Sequence, residues 1–429
     1  MVPPDSPTPA VSVPSHPGSG ARPGIRTRFR RVKDEVLRLL FTGRAWYFGI
    51  WLKALMWTWR RYPPRLQKGG LLFSEIPGGA VAAPPDHPVP ESPIDGAAAD
   101  RFLFATPDTR FGDRTISSFF LDEHCRIAIA APAIGDAELT ELYRRHYSAP
   151  PTEPVPPPVG PSPFRGWFGG TRLEGLLLAA YPIIGRIVGK LAPVIVHSNR
   201  HFLGVLIRRL ERLGLGASTE AGILDVGCFE GGLLDEIRAH TKWQTHGLEM
   251  NPVAAGVARR KGHRVWLASA EDALTTLPAD ARFRVIVASQ LIEHLHDPVR
   301  ALARLRLLLE PGGVIVLATP NLNSAQVRWF GPTWAHWHPP YHRHIFSPRG
   351  LRAVVEQAGL SVAAMSSHSY PYWSAMSLQL NAYGLAGSVS HAAQLPGDVL
   401  RRGRYIAGLS RALYDWRLQG DDLLVVCRN

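Results

Sequence analysis

An α/β fold with a mostly parallel sheet covered by helices is the class this sequence predicts, and three observations predict it. From about residue 198 short apolar runs alternate with helical ones. One apolar run ends in Asp225 and turns through Gly227 and Gly231 into a helical pattern. The next run ends in Glu249, 24 residues after Asp225. Strands buried on both faces are continuously apolar, and helical crossovers between them give a parallel sheet.

The 429 residues suffice for two domains of about 100–200 residues each. Residues 1–25 are rich in Pro, Ser and Gly and carry too little apolar surface to offset the entropy of ordering. They predict a disordered tail with no secretory leader. Residues 26–70 are basic and amphipathic. Arg26, Arg28, Arg30 and Arg31 lead into a run containing Trp46, Trp51, Trp57 and Trp59, closed by Arg60 and Arg61. Residues 1–70 hold 13 Lys/Arg against 3 Asp/Glu, so they carry most of the net charge of +13. That pattern over residues 26–62 suits an anionic membrane surface, or packing on the protein's own core; nucleic acid fits less well. Arg44 and Lys53 interrupt the run, and no uncharged apolar stretch is long enough to span a bilayer.

A Pro/Ala/Gly linker is expected at 78–98 and a small domain at 100–148, with short strands and a helix near Asp136–Tyr147. Residues 149–163 predict a stiff proline-rich linker. The apolar segment 172–196 fits a second interfacial helix or a lid over the active site. From 198 to 429 the candidate strands are Ile223–Val226, Thr245–Leu248, Val265–Ala268, Val285–Ala288, Val314–Ala318, Leu360–Met365 and Leu423–Cys427. Candidate helices are Gly232–His240, Pro252–Lys261, Val299–Leu309 and Pro348–Ala358. Residues 371–420 predict a helical insertion between the last two strands. Cys125, Cys228 and Cys427 are too few and too far apart for a disulfide framework or a Cys-rich metal knuckle, which points to a reducing, cytoplasmic setting.

The turn at 223–232 lets backbone approach a ligand at the positive end of a helix. A carboxylate at the spacing of Glu249 accepts hydrogen bonds from ribose hydroxyls. Five segments in order then carry a resemblance. They are Leu-Asp-Val-Gly-Cys at 224–228, Leu-Glu-Met-Asn at 248–251, Ala-Ser-Ala-Glu-Asp at 268–272, Ile-Val-Ala-Ser-Gln-Leu-Ile-Glu-His-Leu at 286–295, and Leu-Glu-Pro-Gly-Gly-Val-Ile-Val-Leu-Ala-Thr-Pro-Asn at 309–321. Together they resemble the class I S-adenosylmethionine methyltransferases, especially the quinone-biosynthesis O-methyltransferase branch. The resemblance implies a Rossmann-like seven-stranded sheet, mostly parallel with the last strand antiparallel. It implies that S-adenosyl-L-methionine is the cofactor. Asp225, Gly227, Cys228 and Gly231 are then expected to cradle its methionine moiety, and Glu249 its ribose. Ala270 and Glu271 are expected beside the adenine, and Gln290 where the fourth strand opens towards cofactor and acceptor. Phe229 departs from the family's middle glycine, and Arg284 stands where an aspartate is usual.

The run Trp334-Ala-His-Trp-His-Pro-Pro-Tyr-His-Arg-His344 follows the fifth strand. Imidazoles titrate near neutrality and can take a proton from a hydroxyl nucleophile, so His342 or His344 is the candidate general base. The same histidines can instead cap the next helix or hold a divalent metal, and no metal is expected. The fourth strand continues Ser289-Gln-Leu-Ile, without the Asn/Asp-Pro-Pro-Tyr motif that serves nucleobase amines. The expected reaction is O-methylation of a small or lipid-linked acceptor, with N- or C-methylation left open and a non-catalytic membrane scaffold or a nicotinamide oxidoreductase as alternatives. The segment 122–148 resembles the end of a zinc-ribbon region found ahead of some relatives, here reduced to Cys125 and expected to be metal-free.

Overall fold

Val, Ile, Leu and Ala dominate the strands of a seven-stranded sheet because both of its faces are buried. The computed structural model describes residues 87–108, 116–147, 199–215, 221–383, 395 and 397–429. The expectations for 1–25, 26–70, 149–163 and 172–196 lie outside these residues. Five strands run parallel: β4 (Gly222–Val226), β5 (Gln244–Glu249), β6 (Arg264–Leu267), β7 (Phe283–Ser289) and β8 (Leu309–Pro320). Strand β10 (Ser361–His368) pairs antiparallel with β11 (Asp422–Arg428), which pairs antiparallel with β8. The order β10-β11-β8-β7-β4-β5-β6 is the Rossmann-like arrangement with an antiparallel last strand.

Alternation along these strands divides the core in two. Ile223, Val285, Val287, Val314, Val316, Leu424 and Val426 face Leu203, Leu206 and Leu210 of helix α2 (Asn199–Glu211). Leu224, Ile286, Ala288, Ile315, Leu317, Leu423 and Val425 belong to the other cluster, with Leu302, Leu305, Leu351 and Val354. Burial of each such Leu, Ile or Val contributes about 1.5–3 kcal/mol.

The helices on the sheet start where the sequence writes a polar residue followed by proline. Asn251 caps α4 (Pro252–Arg260), accepting from Val253 N at 2.9 Å. Asp297 caps α6 (Pro298–Arg306), accepting from Arg300 N at 2.8 Å. Ser347 caps α8 (Pro348–Gln357), accepting from Gly350 N at 3.1 Å. In each case the side-chain oxygen satisfies an orphan amide, and proline at the first helical position loses no bond. The other helices here are α3 (Gly232–His240), α5 (Ala273–Thr276) and α7 (Ala325–Phe330). The span expected to be a helical insertion holds α9 (Pro371–Tyr383) and α10 (Gly397–Leu413). They cross closely: a Cβ on Gly403 would meet Ala375 Cβ at 2.5 Å.

The span expected to be a small domain forms an antiparallel meander, β1 (Arg101–Pro107), β2 (Ile116–Asp122) and β3 (Ile127–Ala131), followed by α1 (Asp136–Tyr147). Its fourth strand comes from far along the chain. Residues His344–Phe346 form β9 and pair with β3, Ile129 opposite His344. The histidine-rich loop is thereby sewn into this second sheet.

Candidate active site

The glycine turn after β4 is closed by two amides. Gly227 N and Cys228 N both donate to Leu248 O, at 2.7 and 3.2 Å. Gly227 has φ +76, and a Cβ there would meet Leu291 Cδ1 at 3.1 Å. Gly231, at φ +79, opens α3. Between them Phe229 adopts φ +48 with its ring 41% exposed. It takes the left-handed conformation that a middle glycine would supply, at a cost of about 1–2 kcal/mol.

Glu249, buried at the end of β5, is aimed by backbone. Its carboxylate accepts from Phe229 N at 2.8 Å and from Asn251 N at 2.7 Å. Asp225 is buried beside it. Burial first, then the Glu249 charge, pushes Asp225 up to about 8. Burial also raises Glu249, partly offset by its backbone hydrogen bonds. Two buried carboxyls at a glycine turn make a site that favours a cationic ligand. Ala268 N donates to Glu249 O at 3.1 Å, which tethers the following turn beside Glu249. In that turn Ala270 is buried and Glu271 is half-buried.

Two of the expected site residues have side chains engaged within the protein. The Cys228 side chain packs against Leu234, Ala255, Ala258 and Val265, and a Cβ on Gly247 would meet its sulfur at 2.6 Å. Burial raises its thiol far above the ordinary range. Only its backbone can line the turn, because the side chain fills the gap that Gly247 leaves. Gln290, just after β7, adopts a left-handed conformation at φ +53. Its Nε2 donates to Asp422 Oδ1 at 3.0 Å, across β8 at the start of β11.

The histidine-rich loop is buried rather than overhanging. Trp337 packs against the stacked Phe104–Phe119 pair, ring centroids 4.8 Å from each. Tyr341 packs edge-on against Tyr143 of α1 at 5.2 Å. Arg343 Nη2 donates to Ile134 O at 2.7 Å. His342 Nδ1 donates to His336 O at 2.7 Å, leaving Nε2 as its acceptor. His344 is held within β9, and burial with the nearby Arg343 charge pushes it down to about 3. A ring with so little proton affinity is a poor base, so the expected base role for His344 does not fit this environment.

Sequence reasoning missed a polar cluster around Asp422. His336, 1% exposed, sets Nε2 3.7 Å from Asp422 Oδ1, the oxygen that Gln290 also reaches. Its ring stacks tilted on Trp373 of α9 at 4.6 Å. Asp421 accepts from Ser324 Oγ at 2.8 Å and is bridged by Gln326 and Trp334. Asp422 is pushed well above the usual carboxylate range, first by burial and then by the Glu293 and Asp415 charges; the Gln290 hydrogen bond works against this. The signal in the sequence was two aspartates immediately before an apolar run, Asp421 and Asp422. The antiparallel direction of β11 carries them to the active edge. Glu293 is likewise fully buried, receives Thr319 Oγ1 at 2.9 Å, and is raised to about 8 by burial. Donor atoms of Glu293, His294 and His342 all lie within 4.8 Å of one another, a set able to hold a divalent cation.

A family model for the methyltransferase domain matches residues 197–364. A ubiquinone biosynthesis O-methyltransferase of an Azoarcus species is 35% identical over 160 residues, covering 34% of this chain and 67% of that protein. The chain belongs to the methyltransferase-domain family. A second relative, the ubiquinone biosynthesis O-methyltransferase of Cereibacter sphaeroides, is 32% identical over 149 residues, 32% of this chain. This chain spans 59% of that methyltransferase's length. A crystal structure of a SAM-dependent methyltransferase from Archaeoglobus fulgidus is 19% identical and covers 53% of this chain and 94% of its own, with a TM-score of 0.35. The fold of this methyltransferase domain rests on its own strand order.

The cofactor that the family and the site imply is S-adenosylmethionine. The methyltransferase turn fits it on two counts. A side chain at Gly227 would be strained at φ +76, which keeps the backbone bare for close approach. The buried Asp225 and Glu249 carboxyls suit a sulfonium and an ammonium, because a cation beside them would favour the ionised form that burial opposes in the empty site.

Proposed function

We propose that this protein is an S-adenosylmethionine-dependent O-methyltransferase acting on a hydroxyl of a small or lipid-linked acceptor. The observation that carries the reading is the buried Asp225–Glu249 pair at a glycine turn on one side of β7, with the His336–Asp422 pair on the other. The relatives' printed names, O-methyltransferases of ubiquinone biosynthesis, support a phenol-like acceptor.

When bound, S-adenosylmethionine supplies a methyl group already activated on a sulfonium. The chain's own residues then have two tasks, alignment and proton removal. Asp225, Gly227 and Gly231 hold the amino-acid end, Glu249 the ribose, and the Ala270–Glu271 turn the adenine. The acceptor hydroxyl would be held beside the His336–Asp422 pair, and His336 would accept its proton. With Nε2 held towards Asp422, His336 takes that proton at Nδ1. Asp422, 3.7 Å from Nε2, is the carboxyl placed to share the charge that appears on the ring, and a positive ring beside it would draw off the proton that burial favours there. His342, on the Glu293–His294 side of the loop, is the other candidate for the base.

Incubation with methyl-labelled S-adenosylmethionine and phenols bearing short or isoprenoid tails tests the reaction. His336→Ala should lower kcat by about 10²–10⁴-fold while leaving cofactor affinity unchanged. An equal loss in His342→Ala alone would move the base to that residue. Absence of any calorimetric heat with S-adenosylmethionine or S-adenosylhomocysteine would sink the whole reading.

The setting proposed is cytoplasmic, at an anionic membrane surface reached through residues 26–62. Their arginines and tryptophans support it. No helix among the described residues is long and apolar enough to cross a membrane. Vesicle flotation should depend on residues 1–70, and equal flotation without them would remove this part.

A further inference from the structure

Two tight turns far apart in sequence meet beside the small sheet. Both space their side chains three residues apart: Ser92 with Asp95, and Asp122 with Cys125. In the first, Gly96 N donates to Ser92 O at 3.0 Å, and Glu91 bridges Ala98 across it. In the second, Arg126 N donates to Asp122 O at 2.8 Å and Cys125 N to Asp122 Oδ1 at 2.9 Å. Ser92 Oγ donates to Asp122 Oδ2 at 2.7 Å and locks one turn to the other. Between them the donor atoms of Asp95, His124 and Cys125 all lie within 4.8 Å of one another.

From this geometry we infer that Asp95, His124 and Cys125 form a binding site for a zinc-class divalent cation, separate from the active site. A thiolate, an imidazole and a carboxylate are a donor set of this class, with a fourth position open to water. Asp122 stands behind it as the supporting carboxylate. One of its oxygens holds the Cys125 amide and the other holds Ser92, so it fixes the turn that presents the sulfur.

The platform is rigid, as a metal site requires. Helix α8 buttresses both turns. Gln357 Nε2 donates to Ile94 O at 2.7 Å in the first turn. Ser347 N donates to Arg126 O at 3.2 Å in the second, where a Cβ on Gly350 would meet Cys125 O at 2.9 Å. Cys125 is buried while Asp95 and His124 are exposed, so a cation has a way in from solvent. Without metal, burial and the Asp122 charge push the thiol up to about 11. The bound cation would pin the small sheet to α8.

Cobalt(II) titrated into the full-length protein is the test, because a thiolate ligand gives a near-ultraviolet charge-transfer band. The other donor set, Glu293–His294–His342, has no sulfur and cannot produce it. The expected result is one such band at one equivalent, displaced by zinc(II), weakened at least tenfold in the exposed-site variant His124→Ala and abolished in Cys125→Ser. Zinc should also raise the Tm of wild type, and not of His124→Ala. Absence of the band, or an unchanged band in both variants, overturns the site and leaves the two turns joined by hydrogen bonds alone. Methyl transfer is not read in this experiment, so its failure and that of the proposed reaction are separate results.

Discussion

Asp225 shows how one residue trades stability for binding. Its folded pKa of about 8 lies above the ordinary carboxylate value, so the folded chain keeps a proton that the unfolded chain releases. Its contribution is fully present below the unfolded pKa near ~4 and is lost as pH rises through the folded value. Asp225→Asn should therefore flatten the fall in Tm between pH 4 and 8 while weakening S-adenosylmethionine binding, measured by thermal scans and calorimetry on the same samples. A cation bound beside the carboxyl would recover in wild type what the empty site loses. Phe229 illustrates a different trade. Relief of its positive φ by Phe229→Gly offsets the entropy that glycine adds, so chemical denaturation should place this variant within about 1 kcal/mol of wild type. Its ring, 41% exposed, has little burial to lose.

At the scale of elements, helix α8 joins two structures at once. Gly350 lies where a Cβ would meet Ile127 Cγ1 at 2.6 Å and Cys125 O at 2.9 Å, so neither β3 nor the turn before it can make room cheaply. Gly350→Ala should cost about 1–3 kcal/mol in urea unfolding. That loss contrasts with the usual gain when glycine becomes alanine inside a helix. Asn251→Ala, which removes a cap accepting from Val253 N and Ala254 N, should cost about 1 kcal/mol and leave the Glu249 carboxylate in place, because residue 251 holds it through its backbone N–H. The helix starts were legible because Asn-Pro, Asp-Pro and Ser-Pro act through local chemistry alone. The strand cores were legible because seven apolar runs are long enough to mark buried strands. Strand β9 was not legible. His344, Ile345 and Phe346 carry no strand signal apart from their pairing with Ile127–Ile129, more than 200 residues earlier.

At the scale of the molecule, the aromatic loop is the seam between two sheets. Trp337 packs on the stacked Phe104–Phe119 pair of one sheet while its indole Nε1 donates to Gly331 O at 2.8 Å in the loop after the other. Trp337→Ala should cost about 3–5 kcal/mol and broaden or split a single calorimetric transition, because it loosens one sheet from the other. A loss under about 1 kcal/mol would mean the sheets are held together elsewhere.

By itself the sequence determined the sheet, the glycine turn and the carboxylate at Glu249, because each depends on residues close in the chain. The tertiary structure alone decided the surroundings of each histidine. A ring's proton affinity is set by burial and by neighbours in space, and here those neighbours are Asp422, Arg343 and Glu293. The same reason brings His336 to the active edge and closes His344 into a strand. It also places Asp95 against Cys125, a pairing that thirty residues of separation concealed.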